Sequence, residues 1–155
     1  MNYWLMKSEP STFGVDHLAK AKNRTSGWDG VRNFQARNYM REMQVGDLAF
    51  FYHSSCEVPG IAGVVKVVRE GYPDPTAFDA KHDHYDPDSD RAAPRWFMVD
   101  VQLVRKFDDV VSLDTLRSHA SGKLQNMIVL KRGNRLSITP VTKAEWQHVE
   151  SLAAR

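Results

Sequence analysis

The sequence predicts an α+β domain built around a small mixed β-barrel, and three observations carry that expectation. Three runs, 48–54, 60–71 and 95–107, are strand-like with apolar side chains on both faces, as strands covered on two sides are. Short stretches around them open with helix-capping residues. Glycines within 60–71 fit a strand that bends or lets another backbone approach closely. Twisted strands of this kind, separated by short helices, close most simply around a shared core.

Taken in order, residues 2–8 alternate Trp4, Met6 and Ser8 with Tyr3, Leu5 and Lys7, a strand that ends at Pro10. Asn33 caps a helix running through Glu42, with Ala36, Met40 and Met43 as its apolar stripe. Arg37 and Arg41, four apart, share one side of that helix. VGD (45–47) turns into LAFFYHS, which sets Phe50 and Tyr52 on one face and Phe51 and His53 on the other. In 95–107 the core face is Phe97, Val99, Val101 and Leu103. Between the last two strands lies YPDPTAFDAKHDHYDPDSDRAAP (72–94), a Pro- and Asp-rich loop. A loop of that length in a compact domain is usually functional or floppy. Ser112 caps a short helix over SLDTLRSHA, RLSITP (135–140) is a final strand stopped by Pro140, and Thr142 with Glu145 forms a capping box for the last helix.

A chain of 155 residues with 42% apolar and 26% charged residues suits one ordinary globular domain. No apolar run approaches the ~20 residues of a membrane span, and the amino end lacks the pattern of a secretory signal. A single cysteine, Cys56, rules out an internal disulfide and fits a reducing compartment, here expected to be the cytoplasm. The net charge of +2 says little, but its distribution says more. No acidic residue falls between Asp114 and Glu145, where Lys123, Lys131, Arg132, Arg135 and Lys143 lie. Asp79, Asp83, Asp86 and Asp88 crowd the long loop against Lys81. A basic side opposite an acidic loop steers a polyanion to one face, although an unevenly charged solvated surface reads the same way.

The stretch WDGVRNFQARNYM places an indole, Trp28, in a glycine-flanked turn ahead of arginines and amides. Either the ring plugs the core or it serves as a stacking platform for a flat guest, which is worth ~1–3 kcal/mol per base. KSEP joins a cation, a hydroxyl and a carboxylate at a strand end, either a surface ion pair, a reader of a ring's polar edge, or a lysine-activated hydroxyl. His82 and His84 flank Asp83, but no second pair of ligands accompanies them. The calcium-like run Asp86, Asp88, Asp90 fails where a glycine and a glutamate are needed, so no metal is expected. No Gly-rich phosphate loop, nucleophile elbow or dinucleotide fingerprint occurs, and no cofactor is expected.

Together, YWLMKSEP, WDGVRNFQARNYM, VGDLAFFYHSS, PGIAGVVKVVREGYPDPTAFD, PRWFMVDV and NRLSITPV stand in the order seen in the EVE domain. The chain resembles bacterial single-domain members and the eukaryotic thymocyte nuclear protein group over nearly its whole length. The resemblance implies a PUA-like fold, a curved pseudo-barrel of five to six strands with short helices around it, similar to YTH domains. It implies a non-enzymatic reader that flips a modified base, such as 5-methyl- or 5-hydroxymethylcytosine of DNA or RNA, into an aromatic pocket. The matching pocket positions are Lys7, Ser8 and Glu9, then Trp28, then Tyr52, His53 and Ser54, with Arg135, Leu136 and Ser137 completing the wall. Arg32, Asn33, Arg37, Arg41, Lys131 and Arg132 are expected to hold phosphates, and the protein to act as a monomer without a membrane. Two alternatives stand beside this: a hydrolase of a modified nucleoside, since Lys7, Ser8 and Glu9 are similar to the Lys/Thr/Glu set of ASCH amidohydrolases, and a binding module tied to RNA modification or translation.

Overall fold

The computed structural model describes residues 1–154. Six strands form one mixed sheet: β1 (Tyr3–Ser8), β2 (Thr25–Gly27), β3 (Leu48–His53), β4 (Gly60–Pro73), β5 (Phe97–Ser112) and β6 (Ile138–Val141), in the order β2-β5-β4-β3-β1-β6. Only β1 and β3 run parallel, with Lys7 opposite Tyr52 and Ser8 opposite His53. Pairing shifts between Phe51 and Tyr52, and again at four points along β4 and β5, marking the bulges that bend long antiparallel ribbons. The sheet does not close: β2 and β6 are its edges.

Among the described residues five α-helices flank it: α1 (Pro10–Phe13), α2 (Val15–Lys20), α3 (Phe34–Glu42), α4 (Leu113–Ser118) and α5 (Lys143–Ala153). The sheet separates two apolar clusters. On one face Trp4, Met6, Trp28, Phe51 and Val65 pack under Leu18 of α2 and Met40 of α3. On the other Leu5, Phe50, Tyr52, Ile61 and Trp146 pack under Leu116 of α4 and Val149 of α5. Neighbouring strand residues therefore go to opposite sides, Leu5 against Met6 and Phe50 against Phe51, which explains the strands with two apolar faces. The three expected caps are formed. Asn33 Oδ1 accepts from Ala36 N–H (3.0 Å), Ser112 Oγ from Thr115 N–H (3.1 Å), and Thr142 and Glu145 exchange bonds of 3.2 and 2.9 Å.

Two features differ from the sequence expectation, and one open alternative is decided. Residues 10–27 hold α1, α2 and β2, which no strong periodicity announced. The last strand starts at Ile138, so Arg135, Leu136 and Ser137 belong to the loop before it. The loop at 72–94 is fastened rather than floppy. The buried Asp74 carboxylate accepts from Gly30 N–H (2.9 Å), Arg32 Nη1 (3.0 Å), Thr76 N–H (2.9 Å) and Thr76 Oγ1 (2.6 Å), and Trp96 Nε1 donates to Asp86 (2.6 Å). Among the described residues, no helix is long and apolar enough to cross a membrane.

Candidate functional site: a cavity beside Trp28

A cavity of about 590 Å³ opens where the ends of β1 and β2 meet the turn 28–32 and the long loop. Its size lies within the range of ~300–1,000 Å³ that small-molecule sites occupy. Trp28, Phe13 and Val31 give it apolar walls. Ser8, Thr12, Ser26 and Ser137 add hydroxyls, and Glu9 and Asp29 bring two exposed carboxylates to the rim.

The turn is built for this position. Gly30 has φ +79°, the left-handed region open to glycine, and a Cβ there would collide with the His84 imidazole. Gly27 is less constrained, since a Cβ there would meet the flexible end of Met98, which can give way. Trp28 N–H donates to Val99 O (2.8 Å), anchoring the start of the turn to β5. Asp74 fixes its middle through Gly30. Burial opposes ionisation of Asp74, but hydrogen bonds from Thr76, Gly30 and Arg32 outweigh it and hold the carboxyl below its ordinary value.

Trp28 differs from an open platform. Only 6% of it is exposed, and Phe51 and Phe13 meet it nearly perpendicular, with centroids 5.2 and 6.4 Å away. The indole is a wall with a strip facing the hollow, because the tight turn folds it back onto the core. Among the described residues no aromatic ring lies parallel to it.

The structure brings Lys7, Ser8, Glu9, Trp28, Arg32 and Ser137 to the cavity. Ser8 Oγ donates to Phe13 O (2.7 Å), which ties α1 to the end of β1. Lys7 borders the cavity, but its Nζ lies 5.7 Å from the Tyr52 ring centroid, and burial pushes its pKa down. Other expected pocket residues are placed elsewhere. Tyr52 is buried in the cluster on the opposite face, because strand alternation sends it there with Phe50. His53 accepts from Val15 N–H at Nε2 (3.1 Å) and so secures the start of α2. Ser54 N–H donates to Ser8 O (3.0 Å), continuing the β1–β3 pairing. Arg135 is exposed and Leu136 half-buried in the loop before β6, neither of them lining the hollow.

Two of the expected phosphate ligands, Arg32 and Asn33, need correction. The Arg32 guanidinium is fully engaged inside the protein, with Asp74, with Thr76 Oγ1 (3.2 Å) and with His84 O (2.7 and 3.1 Å), so it clamps the long loop rather than presenting a free cation. Asn33 is the cap of α3. Arg37 donates to Arg95 O (2.9 Å) and to Asn38. Arg41 lies over the Phe97 ring, and Lys131 and Arg132 are exposed.

Several lining residues carried no distinctive sequence signal: Thr12 and Phe13 sit on an unannounced helix, and His84 comes from the acidic loop. The fold also supplies the third group that the metal consideration lacked, for Asp29 lies with His82 and His84, their ligand atoms within 4.8 Å of one another. Yet His82 Nδ1 already accepts from His84 N–H (3.0 Å), which leaves the proton of a neutral ring on Nε2.

The model of the EVE domain matches residues 2–152. Human thymocyte nuclear protein 1 is 45% identical over 97% of this chain and 73% of its own length. Human THYN1 solved in complex with 5-methylcytosine-containing DNA superposes with a TM-score of 0.96 at 44% identity, over 100% of this chain and 99% of that one. A protein of Pseudomonas putida superposes with a TM-score of 0.93 at 44% identity, over 97% and 99%. This chain belongs to the EVE domain family.

Proposed function

We propose that this protein is a non-enzymatic reader of modified cytosine in DNA, holding the extruded base in the cavity beside Trp28. The observation that carries this is the cavity: a hollow of base-admitting size, walled by Trp28 and Phe13 and rimmed by the carboxylates of Glu9 and Asp29. Carboxylates accept from the exocyclic amine of cytosine. The near-superposable human protein, solved with 5-methylcytosine-containing DNA, supports the choice of polymer and base.

Extrusion costs a few kcal/mol of unstacking, which contacts with the cavity wall and rim offset. A methyl group adds roughly 0.8 kcal/mol when buried, so a methylated base is preferred only by a hollow shaped to it. The anchored turn keeps one wall of the hollow fixed, since Gly30 and Arg32 are both bonded to Asp74.

Against hydrolysis stands the arrangement of KSEP. A lysine-activated hydroxyl needs the two groups in contact, but Ser8 Oγ donates to Phe13 O while the Lys7 ammonium lies toward Tyr52, a residue of the opposite cluster. The test is anisotropy titration of labelled duplexes with one 5-methylcytosine, one 5-hydroxymethylcytosine or plain cytosine at the same position. Preferential binding to a modified duplex, weakened by Asp29→Asn with Glu9→Gln, is expected. Equal affinity across the three defeats the proposal.

A further inference from the structure

Phe34, the first residue of α3, is 53% exposed. It is held in place rather than loose. Its ring stacks on the buried Trp96 with centroids 5.0 Å apart and planes inclined by 22°. The Arg37 guanidinium lies 4.9 Å from its centroid and that of Arg95 6.0 Å away. Arg37 is oriented by its bond to Arg95 O, and Arg95 by Asp86 (3.5 Å), so the cations are fixed beside the ring. Trp96 is in turn held by its indole bond to Asp86.

This arrangement is joined to the cavity. Arg32, which lines the hollow, has its guanidinium 5.4 Å from the Trp96 centroid. We infer that Phe34 is a second stacking site for an unpaired base on the same strand as the base in the cavity, with Arg37 and Arg95 facing the adjoining phosphates. An exposed aromatic ring between guanidiniums matches the chemistry of a base with its anionic backbone. An apolar protein partner gives the Arg37 cation no counter-charge, whereas Arg95 already pairs with Asp86. The inference rests on the reader proposal for the identity of the polymer, but it concerns a separate set of side chains.

The test is a factorial titration. Wild type, Phe34→Ala and Phe34→Trp are titrated with single strands carrying one 5-methylcytosine or plain cytosine, with 2-aminopurine placed in turn at each of the four flanking nucleotides on either side. Phe34→Ala is expected to weaken both strands about tenfold or more and to abolish 2-aminopurine quenching at one flanking position, with Phe34→Trp restoring both. Thermal melting of Phe34→Ala close to that of wild type separates this from a folding defect. If Phe34→Ala binds both strands as wild type does, or if wild type binds neither, the inference is overturned. Equal affinity of wild type for modified and plain strands defeats the cavity reading alone, because the Phe34 effect is measured on both.

Discussion

Two tryptophans, each almost wholly buried, mark the two sides of the sheet, and their surroundings differ. Trp146 lies nearly parallel to Phe50, with centroids 3.8 Å apart and planes inclined by 11°, and Tyr3 stacks with it at 4.8 Å. Its π-surface is already occupied by the protein. Trp28 meets its aromatic neighbours nearly at right angles and borders a hollow. Exposure alone, 4% against 6%, does not separate the two. What separates them is whether the protein completes the packing or leaves space for something else.

The sharpest way to break that contrast is to truncate the closed side. Trp146→Ala is expected to cost about 3–5 kcal/mol of stability by urea unfolding, the range for emptying a well-packed aromatic position. DNA affinity of the folded fraction should stay unchanged. A comparable loss of affinity at Trp146 would mean that the two sides are not independent. Next in size is Asp74→Asn, which takes the charge from a buried carboxylate bonded to Arg32 and Gly30. The expected cost is about 2–3 kcal/mol, at the lower end for a disrupted buried pair because Arg32 is partly exposed. Here affinity for modified DNA should fall as well, since the cavity wall loses its anchor.

Acid should loosen the cavity side selectively. His53 accepts from Val15 N–H and is thus needed neutral; burial holds its pKa below the ordinary value, with Asp16 pulling it up and Lys106 down. Between the unfolded and folded values the unfolded chain binds the extra proton, so this contribution is complete above the ordinary histidine value, near 6.5, and is lost as pH falls through the lower folded value. Hydrogen exchange at Val15 N–H, corrected for its intrinsic pH dependence, should show protection decreasing from pH 7 to pH 5, and His53→Gln should flatten that trend. Unchanged protection would remove His53 from the account. The smallest effect is expected at the exposed Lys131. If it meets a phosphate, Lys131→Ala lowers the slope of log K against log salt by about one, with the modified-to-plain ratio unchanged.

What could be read in the sequence follows the range of the interactions involved. The caps at Asn33, Ser112 and Thr142 and the long strands rest on neighbours a few residues apart; the caps are where pattern placed them, while β5 runs on past the expected end at Phe107 to Ser112. The elements of residues 10–27 are short and weakly periodic, and a three-residue strand such as β2 owes its existence to pairing with β5. The family resemblance set Tyr52 in the pocket wall. One residue of alternation nevertheless sends the ring to the Trp146 side. Arg32 looked like a phosphate ligand because its partners, Asp74 and the carbonyl of His84, are 42 and 52 residues away. His84 and Asp29 join the cavity for the same long-range reason.

The central claim, that the hollow beside Trp28 receives the base, is tested most directly by a crystal structure with a duplex carrying one 5-methylcytosine. The account predicts that base rotated out of the helix and seated in the hollow against Trp28 and Phe13, its exocyclic amine facing Glu9 or Asp29. A 5-methylcytosine still paired within the duplex, or bound anywhere else on the protein while the hollow holds only water, contradicts it.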